Sequence, residues 1–344
     1  MFPLEQPTKE ACDNADRVRE MAFAFQHSQM LAVAARLGIA DLLAEGPLPL
    51  TELAKRLECN PQSLARLLRA LAAKEVFRLE PDGRYSLTPM AELLRDDTPG
   101  SLRATAMLYG GSQFWAAFGV LIDSIRNGQT GFDCAYGTRC YDYFAANQDE
   151  GRIFNRSMSE TAWWSSNAIL DVLDLPETGT VVDLGGSEGM LLAMVLRARP
   201  ALRGVLYDMP SVVERAPALL ASAGVADRCT IIGGDFADAY PQGAECYLIK
   251  SVLNGETDAR AIDILSRCRA AIAPGGRVLV VDTVLAENTA GLAAAAIDIT
   301  MLAMTGGKAR TSEAFSALFY AAGLRIEEII PTTLAYHVIV GSSL

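Results

Sequence analysis

The sequence predicts an α/β fold, a mostly parallel sheet flanked by helices, preceded by a smaller all-helical unit of winged-helix type. Three observations carry that prediction. From Thr180 onward, short β-branched runs alternate with helix-length stretches, the pattern of parallel strands joined by crossover helices. The first hundred residues instead carry helical spacing and one hairpin signal. The length, 344 residues of which 51% are hydrophobic and 21% charged, exceeds one ordinary domain and supplies core for two. Residues 1–100 are expected to form the small unit, and residues 101–344 a helical linker followed by the α/β domain.

In the small unit, AFAFQHSQMLAVAARLGIADLLAEG places Phe25, Met30, Val33, Leu37, Leu42 and Leu43 at roughly helical spacing. LPLTELAKRLECNPQSLARLLRALAAKEVF holds two short helices about a turn at Cys59, Asn60 and Pro61. Asn60 is a good N-cap there, and Pro61 suits the first helical position. FRLEPDGRYSLTP predicts a hairpin with Asp82 and Gly83 at its tip, and Pro89 opens another helix. A DNA-binding reading of this helix–turn–helix–hairpin order would send Ser63, Arg66 and Arg69 into a major groove. The competing reading is a packing or dimerisation module, with Arg66 and Arg69 on the solvated face of a helix that buries Leu64, Leu67, Leu68 and Leu71.

Residues 101–170 are again helical, and Phe114, Trp115, Tyr143 and Phe144 there suit core filling. Beyond them, TVVDLGG, RGVLYDM, CTIIGGDF, AECYLIKSVL and RVLVVDTVL are predicted strands. MLLAMVLRARP, PSVVERAPALLASAG and ARAIDILSRCRAAIAPGG are the helices between, and RIEEIIP with AYHVIVG makes a closing antiparallel hairpin.

Composition narrows the function. Thirty Lys and Arg against 41 Asp and Glu give a formal charge of −11, which argues against nucleic acid or an anionic membrane as partner. Seven cysteines without a C-x-x-C pair indicate neither a disulfide framework nor a metal site, and a reducing, cytoplasmic setting is expected. The N-terminal stretch carries charges where a signal peptide would be apolar, and no apolar run reaches the ~18 residues of a membrane span. Only two histidines exist, His27 and His337.

In a doubly wound sheet, ligands sit at the carboxyl ends of the strands. VVDLGGSEGM ends its strand at Asp183 and turns through Gly185, Gly186, Ser187, Glu188 and Gly189 into a helix, with glycines where a backbone must turn tightly or a ligand approach closely. RGVLYDMP ends the next strand at Asp208 and Met209, placing an acceptor for a ribose diol. The third ends in Gly234, Asp235 and Phe236, an acidic edge beside an aromatic face that suits adenine. The loop is not G-x-G-x-x-G, and Glu188 would face a pyrophosphate. A cationic, phosphate-free nucleoside fits better, and S-adenosylmethionine is such a molecule.

With those motifs in place, the chain resembles the dimeric small-molecule O-methyltransferases of the plant caffeate type and their bacterial natural-product relatives. The resemblance runs through LGIADLL, ELAKRL, YSLTP, FNRSM, VVDLGGSEG, GVLYDMP, GGDF, LIKSVL and MLAMTGGKART. It implies an N-terminal winged-helix domain that builds a homodimer, and a Rossmann-like class I methyltransferase domain that binds S-adenosylmethionine. It also implies roles. Asp183, Gly185, Gly186 and Gly189 line the methionine and ribose, Asp208 and Met209 the ribose, Gly234, Asp235 and Phe236 the adenine, and Lys250 with Ser251 the far side of the cofactor. Phe154, Met158, Met301, Met304 and Trp115 would line the pocket of a small-molecule acceptor, and His27 would lie on a helix that reaches the partner's site.

The departures fall on the chemistry. Where the family has Leu-His-Asp-Trp, this chain has Leu253, Asn254, Gly255 and Glu256, so the general-base histidine is Asn254. Asp282 matches the acid beside that histidine, but the second acid is Ala309, flanked by Lys308 and Arg310, and the middle loop glycine is Ser187. Methyl transfer survives such losses, because positioning alone can supply ~7–11 kcal/mol of the barrier while a general base typically gives ~10²–10⁴-fold. Four readings follow: a methyltransferase on an aromatic or polyketide-like acceptor working by proximity; a cyclase, isomerase or hydroxylase that keeps the cofactor without moving a methyl group; an inactive partner subunit; and a DNA-binding regulator. Asn254 is expected to orient the acceptor, unless it is only a cap for a helix beginning at Glu256, Thr257 and Asp258. His27 is read chiefly as an interface residue, with presentation of an imidazole in trans as the alternative.

Overall fold

The computed structural model describes residue 6 and residues 8–285 and 291–344. Part of the charged N-terminal stretch, residues 1–5 and 7, lies outside them. The chain folds as two compact units, residues 1–115 with 144–160, and residues 116–143 with 161–344. Among the described residues no helix is long and apolar enough to cross a membrane.

The first unit opens with the helix Lys9–Leu37, capped by the Thr8 hydroxyl and stopped by Gly38 in the left-handed region at φ 68°. Only its C-terminal part is buried, at Ala32, Ala34 and Ala35; Val18, Met21, Phe23 and Phe25 stand exposed, an apolar face that the unit does not itself cover. Small residues let this helix approach Arg103–Tyr109, where a side chain on Gly110 would overlap the Ala32 methyl. The strands β1 (Leu48–Pro49), β2 (Phe77–Leu79) and β3 (Arg84–Leu87) form a small antiparallel sheet in the order β1–β3–β2. β1 was not evident in the sequence: two residues containing a proline carry no period. Asn60 caps the helix Pro61–Ala73 by accepting from Ser63 N at 3.0 Å, as expected. Leu64, Leu68 and Leu71 are buried under that helix, and Ser63, Arg66 and Arg69 stand on its exposed face.

One carboxylate organises the rest of this unit. The helix Arg103–Tyr109 has no side-chain cap of its own. Glu160, 6% exposed, supplies one from the helix Gln148–Leu170, accepting from Ala104 N at 3.0 Å, Thr105 N at 2.9 Å and Thr105 Oγ1 at 2.9 Å. The negative charge also complements the positive end of the helix.

The second unit is built on β4 (Gly179–Leu184), β5 (Leu202–Asp208), β6 (Cys229–Gly233), β7 (Cys246–Lys250), β8 (Arg277–Leu285), β9 (Arg310–Thr311), β10 (Leu324–Pro331) and β11 (Tyr336–Ser343). The sheet order is β10–β11–β8–β7–β4–β5–β6, with β9 pairing the end of β8. Strands β4 to β8 run parallel, and β10–β11 is the antiparallel hairpin expected from RIEEIIP and AYHVIVG. Both faces are covered, which is why the central strands read as nearly continuous apolar runs. The order reverses between β4 and β7, so the carboxyl ends of β4, β5 and β7 open onto the switch point where ligands bind. PSVVERAPALLASAG is not one helix but two, Pro210–Val213 and Ala216–Ser222, because Pro217 has no N–H to continue the first.

Glu160→Ala leaves three donors without their acceptor. It is expected to lower the unfolding free energy of the protein by about 1–3 kcal/mol, read as a lower urea midpoint, while Glu160→Gln retains part of the loss.

Candidate functional site

The glycine loop gathers the first group of residues. β4 ends in Asp183, which is 1% exposed, and the chain turns at Gly185, where φ is 73° and a side chain would collide with Val252 Cγ2 at 2.6 Å and meet Phe236 at 3.1 Å. A Cβ on Gly186 would stand 2.6 Å from the Asp183 carboxyl. Ser187 holds φ 55°, a strained conformation for a residue with a side chain, and its N–H donates to Asp208 Oδ2 at 2.8 Å. Asp208 Oδ1 accepts from Met209 N at 2.7 Å. The end of β5 thus fixes the glycine loop, and Gly189 opens the helix Met190–Ala198 without a side-chain cap.

Phe236 lies against the loop, and Gly234 lets Tyr207 pass beneath so that its hydroxyl donates to the Asp235 carbonyl at 2.9 Å. Asp235 stands exposed, accepting from Ala237 N at 2.8 Å and pairing with Arg260 at 3.3 Å. Three carboxylates, at positions 183, 208 and 235, therefore stand at the ends of three adjacent strands, as the motif spacing predicts.

Lys250 ends β7 with its ammonium 5.1 Å from the Tyr336 ring centre. Burial lowers its pKa, and the charges of Asp183 and Asp282 raise it again. Burial lifts Asp183 to about 7, against the pull of Lys250, and Asp208 adds to the rise. Asp183 Oδ2 has no hydrogen-bond partner among the described residues. A buried acceptor without a donor is uncommon in a folded protein and suits the ammonium end of an amino-acid-bearing ligand.

Asn254 sits in the short 3₁₀ turn Leu253–Gly255 that follows β7. Its N–H donates to Asp282 Oδ2 at 3.1 Å, and its carbonyl accepts from Lys308 N at 2.8 Å. Asp282 is fully buried, with its other oxygen accepting from Thr283 N at 2.8 Å, and burial lifts its pKa to about 7. Asp282 therefore grips the backbone of the turn. The helix-cap reading of Asn254 is corrected: Thr257 caps the helix Asp258–Ala271, accepting from Arg260 N at 3.3 Å.

The remaining residues are more dispersed. Ser251 follows Lys250 at φ 55°, with its N–H on the Val281 carbonyl at 2.9 Å. Met301 is half-buried on the helix Leu292–Met304, whereas Met304 is 3% exposed and packed in the second unit. His27, Trp115, Phe154 and Met158 belong to the first unit. Phe154 stacks on Phe144 at 4.5 Å, Trp115 meets Phe25 edge-on at 5.7 Å, Met158 is exposed, and His27 is exposed on the helix Lys9–Leu37. His337 pairs in register with Asp282, and its Nδ1 is buried without a hydrogen-bond partner among the described residues.

Sequence reasoning missed Arg310, Asp258 and Asp298. Arg310 is 3% exposed and reaches the Leu253 carbonyl, the Glu256 carbonyl at 2.7 Å and Asp258 Oδ1 at 2.9 Å. Asp298 Oδ1 accepts from Ala309 N at 2.8 Å, a carboxylate beside the position where the family's second acid is absent. Nothing in the spacing announced the Arg310 contacts, because they join segments some fifty residues apart.

The raised pKa of Asp183 has a consequence for stability. Its ordinary value is 3.8 and its folded value about 7, so between those pH values the folded state holds a proton that the unfolded chain has lost. The ligand-free protein should therefore lose stability as pH rises from about 4 towards 7. In thermal melts, Asp183→Asn should flatten that fall, and an unaltered slope would show that Asp183 does not contribute to it.

Family models match almost the whole chain: an O-methyltransferase dimerisation domain at residues 19–97 and an O-methyltransferase domain at residues 118–325. The phenazine O-methyltransferase PhzM of Lysobacter antibioticus is 36% identical over 313 residues, 91% of this chain and 92% of that protein. The mitomycin biosynthesis 6-O-methyltransferase of Streptomyces lavendulae is 35% identical, over 88% of this chain and 87% of its own. Among solved structures, CalO1, a methyltransferase in calicheamicin biosynthesis in its S-adenosylhomocysteine-bound form, superposes with a TM-score of 0.88 at 31% identity, covering 98% of this chain and 100% of its own. The exposed apolar helix of the first unit belongs to the matched dimerisation domain, and the partner is a second copy of the chain. The chain belongs to the S-adenosylmethionine-dependent O-methyltransferase family, with the class I methyltransferase fold and an N-terminal dimerisation domain.

Proposed function

We propose that this chain methylates a small aromatic natural-product intermediate at an acidic hydroxyl, by positioning and without a histidine base. The observation that carries the reading is Asn254. The position that would hold the base carries a carboxamide, its backbone is tied down on both sides, and a carboxamide takes no proton near neutral pH. The relatives named for phenazine and mitomycin chemistry support a fused-ring acceptor.

When bound, S-adenosylmethionine supplies a methyl group on an electrophilic sulfonium. Asp208, Asp235 and Phe236 hold the nucleoside, and Asp183 offers its free oxygen to the amino-acid end beside Lys250. Asn254 donates a hydrogen bond to the acceptor oxygen and keeps its lone pair aimed at the methyl carbon. The acceptor's proton leaves to solvent before transfer, so the acceptor must ionise readily. Met301, half-buried on the helix Leu292–Met304, contributes an apolar contact to the acceptor. The cysteines, all of them free thiols, suit the reducing cytoplasm.

The test is incubation with S-adenosylmethionine and a panel comprising a hydroxyphenazine, a hydroxybenzoate and a hydroxynaphthoate, followed by mass spectrometry. One S-adenosylhomocysteine per methylated product is expected. Conversion of an acceptor with the methyl donor unconsumed would overturn the reading in favour of a non-methylating enzyme.

The pH–rate profile should track the ionisation of the acceptor, and Asn254→Ala should slow turnover without abolishing it. A limb of that profile that disappears in His27→Gln would instead assign proton acceptance to a histidine presented by the partner subunit. In calorimetry, Asp208→Ala should weaken cofactor binding by about 1.5–3 kcal/mol, the worth of hydrogen bonds to a charged acceptor. Unchanged affinity would remove Asp208 from the site.

A further inference from the structure

Arg310 binds both ends of the turn that carries Asn254. Its guanidinium donates to the Leu253 carbonyl before Asn254, to the Glu256 carbonyl at 2.7 Å after it, and through Nε and Nη2 to Asp258 Oδ1 at 3.0 and 2.9 Å. The side chain is almost wholly buried while its counter-ion Asp258 stays half exposed, held also by Lys308 at 3.1 Å. A buried guanidinium persists only where its donors are matched, and here the matching acceptors are the two ends of one short turn.

The same segment reaches Asn254 by its backbone. Lys308 N donates to the Asn254 carbonyl, and Gly307 passes so close to that carbonyl that a side chain there would overlap it. On the other side Asp282 takes the Asn254 N–H. The carboxamide of Asn254 is thus the only polar part of the residue left free among the described residues.

We infer that Arg310 is a positioning residue for the acceptor site, acting through Asn254 by locking the turn at residues 253–256. The inference rests on the functional reading above for its catalytic consequence, though not for the locking itself. The fork geometry matters as well as the charge: a lysine ammonium is a point donor and cannot span the Leu253 and Glu256 carbonyls together with the Asp258 carboxylate. Asp258, whose pKa the hydrogen bond from Arg310 and then that from Lys308 lower below the ordinary carboxylate range, stays ionised through the working pH range.

The experiment compares the full-length wild type with Arg310→Lys by amide hydrogen exchange, methyl transfer to a hydroxyphenazine, and calorimetry with S-adenosylhomocysteine. Exchange across residues 253–256 should rise by roughly tenfold or more, with strands β4 and β5 unchanged. Turnover should fall by about tenfold or more, with the S-adenosylhomocysteine Kd within about twofold of wild type, and in an Asn254→Ala background the same substitution should cost little further turnover. Equal losses in both backgrounds, or unchanged exchange over the turn, would overturn the proposal. If Arg310→Lys does not fold, Asp258→Asn removes the counter-ion from the exposed side and should give the same pattern. Should the wild type transfer no methyl to any acceptor of the panel, the functional reading fails, and the exchange measurement still decides whether Arg310 locks the turn.

Discussion

The ammonium of Lys250 is coupled by charge to two buried carboxylates, Asp183 and Asp282. They lie on the strands that flank β7, Asp183 on β4 and Asp282 on β8, and loss of solvent pushes each up to about 7. A parallel sheet makes this arrangement available, because it brings all its strand ends to one edge, and residues placed there face a crevice rather than a packed layer. Lys250 keeps that edge from being purely acidic, and Asp183 retains an oxygen without a donor among the described residues. On the proposed reading, the ammonium of the cofactor satisfies it.

The second constraint is the immobilisation of Asn254. Of the two acids that the resemblance places beside a histidine, Asp282 is present and takes the Asn254 amide, while the second position is Ala309, whose amide Asp298 takes. That pattern favours catalysis by placement, in which a rigid turn contributes more than a proton acceptor. On the proposed reading, the acceptor brings its own acidity.

Much of this was legible in the linear chain. The alternation of β-branched runs and helix-length stretches gave the parallel sheet, and Asn60–Pro61 and Asp82–Gly83 gave a helix start and a hairpin tip within the small unit, because caps and tight turns depend on a few adjacent residues. Asp183, Asp208 and Asp235 were visible for the same reason, since a motif at a strand end is local. The split of residues 210–222 into two helices was missed, although Pro217 marked it, and β1 had too few residues to show a period.

By itself the sequence determined the fold class, the order of strands and helices, the acidic strand ends and the absence of a histidine at position 254, all of which follow from neighbours in the chain. Only the tertiary structure decided that Glu160 caps a helix fifty-six residues away, that Thr257 rather than Asn254 caps the helix after β7, and that Arg310 closes over the turn from residue 253 to 258. For Glu160 and Arg310 the physical reason is the same. A buried charge must find its partners wherever the packing brings them, and a separation of fifty residues leaves no periodicity from which those partners can be read.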